Sequence, residues 1–96
     1  MTQGDFSTPE QIRREVEDQF NVSISFAASS EGHWRGQAEM YRRSIAYKIA
    51  QLDGIRVGPA KQAQLKREIQ EDQYHHRNAR YHLDAYKAVR EERGIK

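Results

Sequence analysis

After Pro59 the chain runs for 34 residues without a glycine or a second proline, until Gly94. Nothing in that stretch can break a helix, and its apolar and weakly polar residues step with helical spacing. Leu65, Ile69, Asp72, His76, Ala79, Leu83 and Tyr86 recur at alternating intervals of four and three, the signature of a seam that faces another helix. A helix over 59–93 would be roughly 50 Å long at ~1.5 Å per residue. A chain of 96 residues cannot bury such a rod inside a globule, so a second long helix has to lie along it.

That second helix is expected over 33–52. Trp34, Ala38, Tyr41, Ile45 and Leu52 form its seam, with Ile49 or Lys48 completing the spacing, and the glycines and proline of "LDGIRVGP" stop it. An earlier, shorter helix is announced by "STPEQIRREVEDQF". Thr8 is the N-cap, Pro9 holds the first helical position, and Gln11 can answer the free amide of the cap. Ile12, Val16 and Phe20 then recur every four residues, giving a helix over 8–20. "NVSISF" changes the period to two, which predicts an extended segment over 22–26. Its one available partner is the alternating Ile55 and Val57, so a minor two-strand pairing of 22–26 with 55–57 could form. The expected fold is therefore mostly α: one small domain, residues 1–96, with a short N-terminal helix and a long antiparallel helical hairpin.

Composition excludes several functions. The chain has no cysteine, so disulfides and thiolate metal sites are ruled out. No run approaches the ~18 apolar residues of a membrane span, and a cytoplasmic protein is the expectation. Catalytic motifs are missing too: there is no nucleophile signature, no glycine-rich phosphate loop and no carboxylate pair. We expect neither enzyme activity nor a cofactor. Asp72 and His76, one helical turn apart, could begin a metal site, but as two ligands they read better as a polar contact between helices that sets register.

Charge carries the main functional signal. Residues 1–34 hold two Arg against six acids, residues 35–67 hold eight Lys or Arg against two acids, and residues 68–96 balance at six of each. A basic middle segment points to an anionic partner, either DNA or a larger protein with acidic groups. The candidate contacts are Arg35, Arg42, Arg43, Lys48 and Arg56. In the third helix "QYHHRNARYH" divides by direction: Arg77 and Arg80 outward, His76 inward, His75 and His82 solvated or at an interface. Tyr74, Tyr81, Ala85 and Ala88 form a further stripe that the second helix is too short to cover, which suggests that the first helix folds over it or that a second copy does, with self-association into a homo-oligomer as the expectation.

Residues 8–25, "TPEQIRREVEDQFNVSIS", resemble the first part of the helix-turn-helix found in small terminase subunits of tailed phages and in some transposase-like proteins. Phe20-Asn21-Val22-Ser23 would be the turn, with Asn21 in the left-handed conformation that glycine usually supplies. The resemblance covers eighteen of the 96 residues. It implies a non-enzymatic DNA-binding protein of phage or mobile-element type, in packaging or regulation. The alternative is a small protein-binding adaptor or inhibitor that uses its charged helical surfaces.

Overall fold

The computed structural model describes residues 8–54 and 56–95, which form three helices and no strand. They are α1 (Pro9–Val22), α2 (Ile24–Gly54) and α3 (Pro59–Glu92). The first begins as its sequence dictates. Thr8 Oγ1 accepts from the Gln11 amide at 3.2 Å, and Gln11 Oε1 accepts from the Thr8 amide at 2.9 Å, so two otherwise orphaned donors are satisfied at once. Ile12, Val16 and Phe20 are all buried.

The expected strand does not form. Val22 ends α1, and α2 begins at Ile24, nine residues earlier than anticipated. Within residues 22–26 Ser23 alone is extended, at φ −169° and ψ 152°. It closes one helix and opens the next: its amide donates to Gln19 O at 3.1 Å, its carbonyl accepts from Ala27 at 3.1 Å, and its Oγ accepts from Phe26 N at 2.9 Å. The apolar partners that a strand would need are lacking, since Val22, Ile24 and Phe26 are exposed. Arg56 and Val57 carry no regular structure, and Ile55 lies outside the described residues. Asn21 is helical, and no non-glycine described residue has positive φ.

α2 and α3 form the antiparallel hairpin that the two long seams predict. Ascending α2 matches descending α3: Glu31 meets Arg90, Trp34 meets His82, Tyr41 meets His75, and Ser44 and Lys48 meet Asp72. α3 stops at a turn in which Gly94 takes φ +68°. The Gly94 amide bonds Glu91 O at 3.2 Å and the Ile95 amide bonds Arg90 O at 2.9 Å, satisfying the last carbonyls. Ile95 then packs against the core.

α1 lies against one end of the hairpin only, so the molecule has a three-helix end and a two-helix end, 52 Å along its longest axis. The main core sits at the three-helix end, where Ile12, Val16, Phe20, Ala27, Tyr86 and Val89 cluster. Phe20 and Tyr86 meet ring to ring at 6.3 Å, and the Tyr86 hydroxyl donates to Gln19 Oε1.

Candidate functional site

The hairpin seam is polar at three levels, and these decide which charges remain for a partner. At the three-helix end Glu31, 7 % exposed, is gripped by both terminal nitrogens of Arg90, one of them at 3.1 Å from Oε2, while Arg35 approaches Oε2 at 3.2 Å. The Arg90 hydrogen bonds outweigh burial and hold the Glu31 carboxyl below its ordinary range. At the two-helix end Asp72 accepts from Ser44 Oγ at 2.7 Å and Lys48 Nζ at 2.8 Å. Burial pushes the Asp72 carboxyl up, yet these bonds prevail and leave it below the ordinary value. Asp72 is thus the interhelical register contact anticipated from its place on the seam, with partners on α2 rather than His76.

Between these levels His82 stacks on Trp34, with ring centroids 3.7 Å apart and planes 9° from parallel. This corrects the assignment by direction: His82 is buried and His76 only half-buried. On α3 Leu65, Ile69, Asp72, Ala79 and Tyr86 are buried as the seam predicts, while His82, stacked on Trp34 of α2, and Val89, in the core with α1, are buried in addition.

Burial pushes the His82 imidazole below its ordinary value of 6.5. The unfolded chain then binds this proton more readily than the folded one, so stability present above pH 6.5 is lost as pH falls below it. A second loss follows at lower pH, when Glu31 and Asp72 protonate below their ordinary values of 4.5 and 3.8. The urea midpoint, read by fluorescence of the lone Trp34, should drop between pH 7.5 and 5.5. His82→Phe should flatten that limb and leave the acid limb in place; an unchanged limb would assign the proton elsewhere.

Among the expected anion contacts, Lys48 is diverted. Its ammonium is held between Asp72 at 2.8 Å and Glu68 at 3.6 Å, facing α3. Arg42 and Arg43 are exposed but share Glu39. Arg42 makes two bonds to it, at 2.6 and 3.0 Å, and Arg43 one at 2.8 Å. Those bonds pull the Glu39 carboxyl down to about 2. Arg35 and Arg56 are exposed. Sequence reading left out part of the surface: Lys66, Arg77 and Arg80, with Gln70 and Gln73, are all exposed on α3. Their spacing of four, three, four and three puts them along one face, and the polar stripe through Gln70, Gln73, Arg77 and Arg80 was the available signal.

Folding turns the sequence asymmetry into a spatial one. The two-helix end, residues 35–80, carries ten Lys or Arg against five acids, while the described remainder carries five against eight. Of those ten cations, nine are exposed.

The stripe expected to self-associate is split. Tyr81, Ala85 and Ala88 line a groove of 390 Å³ with Pro9, Glu10, Arg13 and Asp84, so α1 forms one wall of it. Tyr74 lies away from this groove, at the two-helix end. The described residues contain no group of three or more side chains able to hold a metal ion, and no helix is long and apolar enough to cross a membrane. No family model, curated protein or solved structure matches the chain.

Proposed function

We propose that this protein binds DNA without catalysing a reaction, through the basic two-helix end of its hairpin. One observation carries the reading: nine of the ten Lys and Arg side chains between residues 35 and 80 face solvent. Phosphate contacts would come from Arg35, Arg42, Arg43 and Arg56 and from the α3 face of Lys66, Arg77 and Arg80. Glutamines 70 and 73 on that face can donate to phosphate or to base edges. Glu39 does not close the surface, because exposed ion pairs exchange partners at little cost, and a phosphate diester can replace it on either arginine. The phage or mobile-element role in packaging or regulation rests on the sequence resemblance of residues 8–25 alone, since the turn that it implies at Asn21 is helical.

Affinity for a mixed-sequence duplex, measured against salt, tests this. A log–log slope of about −4 or steeper is expected, as for four or more neutralised phosphates. Arg77→Glu with Arg80→Glu should weaken binding at least about tenfold and flatten the slope, with the melting temperature unchanged because both side chains are solvated. Binding that ignores the double charge reversal would sink the proposal. The second reading, a protein-binding adaptor or inhibitor, draws support from the α1–α3 groove, whose apolar floor of Tyr81, Ala85 and Ala88 is rimmed by Glu10 and Asp84. It gains if the chain shows no salt-dependent DNA binding.

A further inference from the structure

α2 has two seams, and only one is used within the chain. Along its outer side Phe26, His33, Met40 and Tyr47 recur every seven residues, and Ser29, Gly36, Arg43 and Ala50 follow each of them by three. All eight are exposed. Steps of three and four over 25 residues are coiled-coil spacing, and this line carries three of the exposed large apolar side chains, Phe26, Met40 and Tyr47. No described residue covers it: a Cβ built at Gly36 meets no atom within 4 Å.

We infer that this outer seam is a homodimer interface, packing antiparallel against α2 of a second copy about a two-fold axis that passes between Gly36 and Met40. Three features of the seam select that occupant. When the helix is laid antiparallel on itself in this register, every large apolar residue meets a small one: Phe26 meets Ala50 of the second copy, Tyr47 meets Ser29, and Met40 meets Gly36. An a-to-d pairing of that kind is how antiparallel helices interlock, and the two-fold repeats each contact. His33 meets Arg43, whose long stem can carry its guanidinium to solvent. Charge agrees as well, since this arrangement sets the acidic three-helix end of each copy beside the basic two-helix end of the other. Parallel alignment would instead set like ends together and stack Phe26 on Phe26 and Gly36 on Gly36, leaving gaps between.

The strip is about 37 Å long by about 10 Å wide, so both copies together bury on the order of 700 Å², below the roughly 1,000 Å² of a stable specific interface. The dimer is thus expected to be weak, dissociating in the high micromolar range. Arg43 belongs to both this seam and the proposed DNA surface, but the readout needs no nucleic acid, so failure of the dimer and failure of the DNA reading are distinguishable.

The chain has no cysteine, which allows a clean test by cross-linking. Ser29→Cys and Tyr47→Cys are prepared separately, their helicity is checked by circular dichroism, and they are oxidised alone and as a mixture. The expected product is a disulfide heterodimer in the mixture and little from either variant alone, because like positions would lie about 27 Å apart. Homodisulfides from each variant alone would show a parallel register and overturn the inference. Sedimentation of the unmodified chain should show a monomer–dimer equilibrium that Met40→Glu abolishes, and a monomer throughout, up to millimolar concentration, would overturn it equally.

Discussion

Replacing Arg90 with alanine is expected to lower the stability of the fold by about 3 kcal/mol, because it strands a buried carboxylate. Glu31 is among the least exposed charged groups of the molecule, and Arg90 supplies two of its hydrogen bonds. Arg35 would remain, but its side chain is 70 % exposed and makes a single contact at 3.2 Å, so it compensates only in part. The same substitution removes the cation placed 5.7 Å from the centre of the Phe20 ring, a contact worth about 0.5–1 kcal/mol at a partly exposed site. A domain of this size has only about 5–10 kcal/mol in total. A shift of roughly 15 °C in Tm is therefore expected. Changing Glu31 and Arg90 together to leucine should restore most of the loss, since removing both charges leaves none uncompensated. If the double variant is as unstable as Arg90→Ala, packing by the arginine stem is what matters, not the pair.

Tyr86→Ala should cost more, about 4 kcal/mol, the usual range for a large aromatic side chain lost from a core. Tyr86 has no exposed surface and joins α3 to both other helices through Phe20, Val16 and Ala27. Tyr86→Phe separates its two contributions. It keeps the ring and removes only the hydroxyl, which bonds Gln19 and Ser30, so about 1 kcal/mol is expected. Urea midpoints of the two variants give the comparison directly. A small effect of the alanine variant would mean that the three-helix end is not the main source of stability.

Most of the fold was legible in the sequence, for reasons specific to particular residues. Thr8, Pro9 and Gln11 form a local signal that needs no tertiary context, and α1 starts where they place it. On α3 the line of Leu65, Asp72, Ala79 and Tyr86 was legible, whereas His76 and Leu83 are only half-buried and His82 takes the inward place, because Trp34 of α2 offers it a ring to stack on. Residues 22–36 misled because local preference opposed the outcome. Alternating Val22, Ser23, Ile24, Ser25 and Phe26 imitate a strand, and Gly32 and Gly36 imitate a linker. Each glycine costs a helix about 1 kcal/mol relative to alanine, a penalty offset here by Glu31 on Arg90 and Trp34 on His82. The available clue was Ser23 itself, a residue type suited to cap a helix, standing three positions before Phe26. For the charged surface, spacing identified the arginines of α2. It also offered Lys48 as the alternative to Ile49 on the seam, and the structure takes Lys48, with Ile49 exposed; only its acceptors, 20 and 24 positions further along the chain, were beyond spacing.

Ser23 also makes the link between α1 and α2 unusually short. Two helices of 14 and 31 residues are separated by one residue, so their mutual direction rests on a single pair of backbone dihedrals. If Ser23 adopted helical values, Pro9–Gly54 would become one continuous rod of about 69 Å, and the apolar edge of α1 would leave its own hairpin for that of a neighbour. The bent form is held by the serine hydroxyl on the Phe26 amide and by the burial of Ile12, Val16 and Phe20. Turning at this one joint, with no loop to unwind, is all that an exchange of the first helix between two molecules would require.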